Sequence, residues 1–173
     1  MRTTWTFHSA GRLVFGKNAM LQLPQHLKEL DAHRLLIVTD STLVSAGVVQ
    51  QVQGVLEEGG ITTEVFTEGC PEPPLDLAVT CAECARVAHS DMILGLGGGS
   101  NMDLAKITAV LLAHGGHPKD YLGDCVVPGP VFPLACVPTT AGTGSEVTAA
   151  AVLSDIERGI KVAVLSDFLR PIL

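Results

Sequence analysis

The fold is decided by the stretch Asp91-Met92-Ile93-Leu94-Gly95-Leu96-Gly97-Gly98-Gly99-Ser100. A short apolar run enters a cluster of glycines, and helical spacing follows from Met102 to Leu112. When a buried strand turns into a helix through glycines, bare backbone N–H groups collect at the positive end of the helix. The stretch therefore predicts an α/β fold with a phosphate-binding turn at the end of a strand.

The glycine spacing departs from the standard dinucleotide fingerprint, because Ser100 stands where the third glycine of G-x-G-x-x-G would be. No Gly-Lys-Ser/Thr of a P-loop follows either. The structural alternative is a capping box, for which Ser100 and Asp103 have the required spacing. Four glycines occupy the five positions from Gly95 to Gly99, more than a helix cap requires. Phosphate binding is therefore the preferred interpretation.

Strand-like and helical patterns alternate along the rest of the chain. Leu35 to Thr39 is a compact apolar run, typical of a strand that is buried on both faces. Further strands are predicted over 61–66 and 132–137, helices over 43–56 and 75–89, and a hairpin of two strands over 147–153 and 161–165. Alternation of this kind predicts one α/β domain over residues 1–173, with a mainly parallel sheet flanked by helices and a short β-hairpin near the C-terminus.

Composition excludes several classes of partner. The chain has 173 residues and a formal net charge of −7, so nucleic acid and anionic membranes are disfavoured. Aromatic residues make up only 4% of the chain, too few for base-stacking platforms. No apolar run is long enough to span a membrane. The N-terminus lacks the apolar core of a signal peptide, and five cysteines are an odd number, so we predict a cytoplasmic protein with reduced thiols.

Two further segments carry candidate ligands. Asp40 ends the first predicted strand, at the edge where open α/β sheets bind ligands, and could accept both ribose hydroxyls of an adenosine. The alternative is that Asp40 caps the following helix together with Ser41. Pro138 to Thr148 follows a predicted strand, and in it Thr139, Thr140, Thr143 and Ser145 surround Gly142 and Gly144. It could hold a phosphate, a ribose or an amide, or it could be a solvated turn.

Together these three segments resemble the iron-containing (group III) alcohol dehydrogenases. The strings G-G-G-S-x-x-D-x-A-K and P-T-T-A-G-T-G-S-E-V-T are highly specific as a pair, and the resemblance runs from about Phe15 to the end of the chain. It implies that this chain is a Rossmann-like NAD-binding domain. It also implies a helical C-terminal domain that binds Fe²⁺ or Zn²⁺ through one Asp and three His, and whose ligands are not in this chain.

The resemblance assigns cofactor-binding roles residue by residue. It implies that Asp40 binds the adenosine ribose and favours NAD over NADP, and that Asp103 lies near the nicotinamide end of the cofactor. The remaining implied contacts are the pyrophosphate turn of Gly97, Gly98, Gly99 and Ser100, the cleft residues Thr139, Thr140 and Thr143, and Lys161 after the hairpin. Many relatives have an Asn in the proline loop, whereas Pro71 to Pro74 contains none.

The implied activity is transfer of hydride between a small alcohol and NAD, giving an aldehyde or ketone, with the metal polarising the alcohol. No catalytic or metal-binding residue is expected in this chain, which should be inactive by itself. The apolar end Arg170 to Leu173 suggests a piece of a longer chain, and the alternative is a natural apolar tail docked on the core. The intact protein is expected to form a homo-oligomer. Two alternatives stay open: another reaction on the same scaffold (glycerol dehydrogenase, maleylacetate reductase or a dehydroquinate-synthase-like lyase), or a stand-alone nucleotide-binding module without catalysis.

Overall fold

A computed structural model describes Thr4 and residues 10–173 of the chain. The N-terminal residues from which we predict the absence of a signal peptide lie, apart from Thr4, outside the described residues. The helices are α1 (Leu23–Glu29), α2 (Ser41–Ser45), α3 (Val48–Glu58), α4 (Leu75–Val87) and α5 (Gly99–His114). The strands are β1 (Arg34–Asp40), β2 (Thr62–Gly69), β3 (Met92–Gly97), β4 (Gly123–Asp124), β5 (Leu134–Pro138), β6 (Ala150–Asp155) and β7 (Ile160–Leu165).

Four strands form a parallel sheet in the order β2-β1-β3-β5. Since all four run in the same direction, their carboxyl ends meet at one edge, formed by Gly69, Asp40, Gly97 and Pro138. Ligands bind at this edge in open α/β sheets. The predicted fold class, a Rossmann-like and mainly parallel sheet flanked by helices, is confirmed.

The parallel sheet is buried on both faces, as the apolar run in β1 predicts. Alternate residues of β1 enter two different cores, Leu36 and Val38 on one face and Leu35 and Ile37 on the other. Helices α4 and α5 cover the first face, and α1 and α3 cover the second. Among the residues that the structure describes, no helix is long and apolar enough to cross a membrane.

A second sheet, in the order β4-β7-β6, packs beside α5. Strands β6 and β7 form the predicted antiparallel hairpin, whereas the short parallel strand β4 is not evident in the sequence pattern. The prediction of one helix over 43–56 is wrong, because Gly47 has a φ of 75° and separates α2 from α3. Periodicity continues across this break, since both short helices direct apolar residues towards the same core.

The apolar tail lies along the open edge of β5. The Ile172 N–H donates to the Leu134 carbonyl and the Cys136 N–H donates to the Leu173 carbonyl, at 2.9 and 2.8 Å. Gly11 and Arg12 bond in turn to the carbonyls of the tail residues Pro171 and Ile172. These bonds cover a strand edge that would otherwise be exposed.

Candidate nucleotide-binding site

Three of the predicted segments meet at the carboxyl edge of the parallel sheet. Asp40 ends β1, the glycine turn (Gly97–Gly99) links β3 to α5, and the threonine loop (Pro138–Thr148) follows β5. The Thr139 N–H donates to the Gly97 carbonyl at 2.9 Å and thereby joins the loop to the turn. The sheet topology therefore brings together residues that lie about a hundred positions apart in the sequence.

The glycine turn leaves the start of α5 without a side-chain cap. Gly98 is the capping residue, the helix begins at Gly99, and no side chain of the described residues caps it. Ser100 lies inside the first turn, and Asp103 bonds elsewhere. The capping-box alternative is therefore wrong. A 16-residue helix with uncapped N–H groups presents positive potential at this edge, which suits a phosphate group.

A side chain would fit differently at each of the three glycines of the turn. Gly97 has a φ of 139°, and a β-carbon there would lie 2.3 Å from Asn101 Nδ2. By contrast, a β-carbon on Gly98 would lie 3.6 Å from Thr140 Oγ1, and one on Gly99 would lie 3.4 Å from Thr143 Cβ. These are ordinary contacts, so internal packing requires a glycine only at Gly97.

The threonine loop faces the glycine turn through Thr140 and Thr143. Thr143 Oγ1 accepts from the Ser145 N–H and donates to Glu146 Oε2, both at 3.3 Å. These contacts hold the loop in a turn and place hydroxyl groups beside Gly98 and Gly99. The space between loop and turn is therefore bordered by the backbone N–H groups of the turn on one side and by the hydroxyl groups of Thr140 and Thr143 on the other, and the Thr143 hydroxyl already donates to Glu146.

Asp40 caps α2 and is held from a second direction as well. Its Oδ1 accepts from the backbone N–H groups of Thr42 and Leu43 at 2.9 and 3.0 Å, and its Oδ2 accepts from Asn101 Nδ2 at 2.7 Å. The capping alternative is thus correct, and it leaves Asp40 at the sheet edge. These bonds occupy three of about four acceptor positions on a carboxylate, so full acceptance from two ribose hydroxyls is not available.

Burial disfavours the charged form of Asp40, but the bonds from Asn101, Leu43 and Thr42 outweigh it and lower the pKa of the carboxyl. A lowered pKa in the folded state contributes stability above about pH 4, the usual value in unfolded chains, and this contribution is lost as pH falls through the folded value. We therefore expect the stability difference between wild type and Asp40→Asn to be constant from pH 7 to 5 and to shrink below pH 4. Urea unfolding across this range measures it, and a difference that grows at acid pH contradicts the assignment.

Asp103 and Lys106 face inwards from α5, and both form hydrogen bonds with the threonine loop and with β6. Asp103 accepts from Ser145 Oγ at 2.6 Å and from the Val152 N–H at 3.0 Å. Lys106 is fully buried, and its Nζ donates to the carbonyls of Thr148 and Ala150 at 3.0 and 2.8 Å. Both residues therefore fix the end of the threonine loop against the start of β6, and a cofactor contact by Asp103 stays a prediction.

Burial dominates the electrostatics of this pair. It raises the pKa of Asp103, against the bonds from Ser145 and Val152 and the charge of Lys106. It lowers the pKa of Lys106, against the charge of Asp103. The two charged atoms are 4.0 Å apart, so each partly offsets the desolvation of the other. The pair is a buried, hydrogen-bonded structural element.

Lys161 lies on the exposed hairpin, where its Nζ is 2.7 Å from Glu72 Oε1 in the proline loop. This loop follows β2 at the same edge of the sheet, and Glu72 has a φ of 53°. Lys161 therefore connects the hairpin to the proline loop through an acidic side chain. Its contact with a cofactor is untested.

Two pairs of residues that are close in sequence, His114 with His117 and Cys81 with Cys84, do not form a metal site in the described part of the chain. His114 bonds to the Gly129 carbonyl, and His117 bonds to Asp76. Cys81 and Cys84 both lie in α4, and burial raises the pKa of the Cys81 thiol to about 12. Within the described part of the chain, no group of three or more His, Cys, Asp or Glu residues could hold a metal ion.

Sequence reasoning missed two buried residues of this edge. Asn101 occupies an unspecified position of the glycine-rich string, and nothing in the pattern marks its contact with Asp40. Lys106 belongs to that string, and its position between the apolar residues Ala105 and Ile107 is a signal that its side chain is buried. The contacts of both residues depend on segments that only the tertiary fold brings near α5.

The parallel sheet, the uncapped glycine turn and Asp40 at the end of β1 together define a Rossmann-like α/β domain. Residues 10–173 match the model of the iron-containing alcohol dehydrogenases. The chain belongs to this family, as its motifs predict.

Two relatives and one solved structure illustrate the similarity. Long-chain-alcohol dehydrogenase 1 of Geobacillus thermodenitrificans is 41% identical over 155 residues, which are 84% of this chain and 39% of that protein. NAD-dependent methanol dehydrogenase of Bacillus methanolicus is 34% identical over 158 residues, 91% of this chain and 42% of that protein. Sulfoacetaldehyde reductase of Bifidobacterium kashiwanohense, solved with NAD⁺, superposes with a TM-score of 0.86 at 30% identity, over 98% of this chain and 45% of that one. This chain spans about 40% of the length of these proteins.

Proposed function

We propose that residues 1–173 are the NAD-binding domain of an NAD-dependent, metal-dependent alcohol dehydrogenase. One observation carries the proposal: Gly98 and Gly99 lack side chains at the uncapped start of α5 although internal packing does not require it. The pyrophosphate of NAD fits this space, since backbone N–H groups and the helix dipole favour an anion there. The NAD named for the methanol dehydrogenase and the solved reductase supports the choice of cofactor.

In this proposal each segment of the site has one task. The glycine turn and Ser100 bind the pyrophosphate, and Asp40 accepts a hydrogen bond from the adenosine ribose. Thr139, Thr140 and Thr143 line the cleft, and Lys161 approaches the cofactor from the hairpin. Bound NAD would supply the hydride acceptor, and this chain would position it.

The metal and the catalytic residues are proposed to belong to a further domain of the whole protein. The described residues hold no suitable ligand group for Fe²⁺ or Zn²⁺, so no step at a metal is assigned to this chain. The substrate is proposed to be a small alcohol or aldehyde, in line with the names of the relatives. A cytoplasmic homo-oligomer of the whole protein and inactivity of this chain alone complete the proposal.

Asp40 is the residue whose replacement tests the cofactor choice. We expect Asp40→Gly to lower the preference for NAD over NADP by about ten-fold or more, because an ionised carboxylate repels the 2′-phosphate at short range. Glycine is nearly as good a helix cap as aspartate, so the fold should persist. Isothermal titration of both nucleotides against this chain gives the ratio of the two dissociation constants.

Asp40→Asn is the matched control, because it keeps the capping oxygen and removes the charge; it also replaces the oxygen that accepts from Asn101 with an amide group. It should shift the ratio in the same direction as Asp40→Gly. An unchanged ratio in both variants contradicts the role of Asp40, whereas failure of the wild type to bind millimolar NAD contradicts the proposed function itself.

A further inference from the structure

Asn101 is a buried amide that connects the glycine-rich helix to the acidic end of β1. Its Nδ2 donates to Asp40 Oδ2 at 2.7 Å and to the Leu96 carbonyl at 3.2 Å. The residue is only 3% exposed, so its side chain cannot form a substantial contact with a ligand. Any influence on a nucleotide must pass through the groups that Asn101 holds.

The side-chain amide of Asn101 lies between the glycines that end β2 and β3. A β-carbon on Gly69 would lie 2.4 Å from Asn101 Oδ1, and one on Gly97 would lie 2.3 Å from Asn101 Nδ2. Both separations are far below van der Waals contact, so a side chain at either glycine would displace Asn101. The ends of β2 and β3 therefore confine the amide, and its N–H stays directed at Asp40.

We propose that Asn101 is a positioning residue for cofactor selectivity, which holds Asp40 Oδ2 in one orientation towards the ribose. The inference rests on the proposed function. Backbone N–H groups fix Oδ1 of Asp40, and Asn101 fixes Oδ2, so the carboxylate cannot turn away from an approaching 2′-phosphate. A fixed repulsive group discriminates more sharply than a mobile one, since the disfavoured ligand cannot relieve the repulsion.

Replacing Asn101 with alanine removes the N–H and opens space beside Gly69 and Gly97. Oδ2 can then turn into that space and accept water, which relieves the repulsion of NADP. We expect Asn101→Ala to lower the ratio of the NADP and NAD dissociation constants by about five-fold, with most of the change in NADP. In an Asp40→Gly background the same substitution should leave the ratio unchanged, because the group through which Asn101 acts is gone.

Thr108→Ala is the matched control. Thr108 is a fully buried polar residue of the same helix, and its hydroxyl donates to the Leu104 carbonyl at 2.9 Å. Its replacement should lower the stability of the domain without changing the nucleotide ratio. Titrations are made at a temperature where urea unfolding shows every variant to be folded, so that loss of stability cannot imitate loss of selectivity.

A second readout needs no nucleotide. Carbon-13 NMR of the Asp40 carboxyl follows its titration in the free protein, and Asn101→Ala should move the apparent pKa upwards because a hydrogen bond to the charged form is lost. An unmoved Asp40 titration, or an unchanged nucleotide ratio in the single variant, overturns the inference. An equal fall of the ratio in the Asp40→Gly background also overturns it. Absence of NAD binding by the wild type overturns the proposed function, and the carboxyl titration still decides whether Asn101 acts on Asp40.

Discussion

Gly97→Ala is expected to destabilise the domain by about 3 kcal/mol, the sum of backbone strain at positive φ and overpacking of a buried contact. The φ of Gly97 is 139°, and the new β-carbon would meet Asn101 Nδ2 at 2.3 Å and Leu43 Cδ1 at 3.0 Å. Asn101 cannot withdraw easily, since it is buried and bonded to Asp40. The fall of the urea midpoint measures the effect.

Gly99→Ala is the matched control for this substitution. It adds the same methyl group two residues later, at the first position of α5, where the nearest atom is 3.4 Å away. Its stability should change by less than about 1 kcal/mol, because alanine is the better helix former. Equal losses in the two variants would contradict the distinction drawn between Gly97 and the other glycines of the turn.

The second large effect is expected for Lys106→Met, which removes the buried ammonium group and keeps an apolar stem of similar length. Three acceptors on Thr148 and Ala150 lose their donor, and Asp103 loses its nearby cation. Removing one partner of a buried pair costs about 3 kcal/mol or more, because the remaining charge stays desolvated. Urea unfolding at pH 7 gives the value.

Lys161→Met is the control, since it makes the same chemical change at an exposed site. Lys161 pairs with Glu72 in solvent, and such pairs contribute about 0 to 1 kcal/mol. We expect Lys106→Met to exceed Lys161→Met by at least about 2 kcal/mol. If the two variants lost nearly the same stability, Lys106 would not stabilise the contact between the threonine loop and β6.

Much of the fold could be predicted because its signals are local. The apolar run of β1 is buried on two faces, and it carries this information in five consecutive residues, Leu35 to Thr39. Errors arose where a local signal is ambiguous: apolar periodicity continues from α2 to α3 across Gly47. The two-residue strand β4 has no signal of its own, because its pairing depends on β7.

The candidate site also has features that the sequence predicts and features that it does not. Asp40, the glycine turn and the threonine loop could be predicted to lie together, because parallel strands place their carboxyl ends at one edge. The inward orientation of Asp103 could not, since it depends on Ser145 and Val152, more than forty residues away. The bond between Asn101 and Asp40 also joins residues from separate parts of the chain.

By itself, the sequence determined the class of fold, the family and the edge of the sheet at which the candidate nucleotide-binding site lies. Burial patterns and glycine clusters are set by short segments, so they are evident in the sequence alone, whereas the order of the strands in the sheet came from the structure. Only the tertiary structure decided which polar groups are free for a ligand and which are already bonded within the protein. A hydrogen bond between distant residues exists only when packing brings them within about 3 Å, and no local pattern specifies that distance.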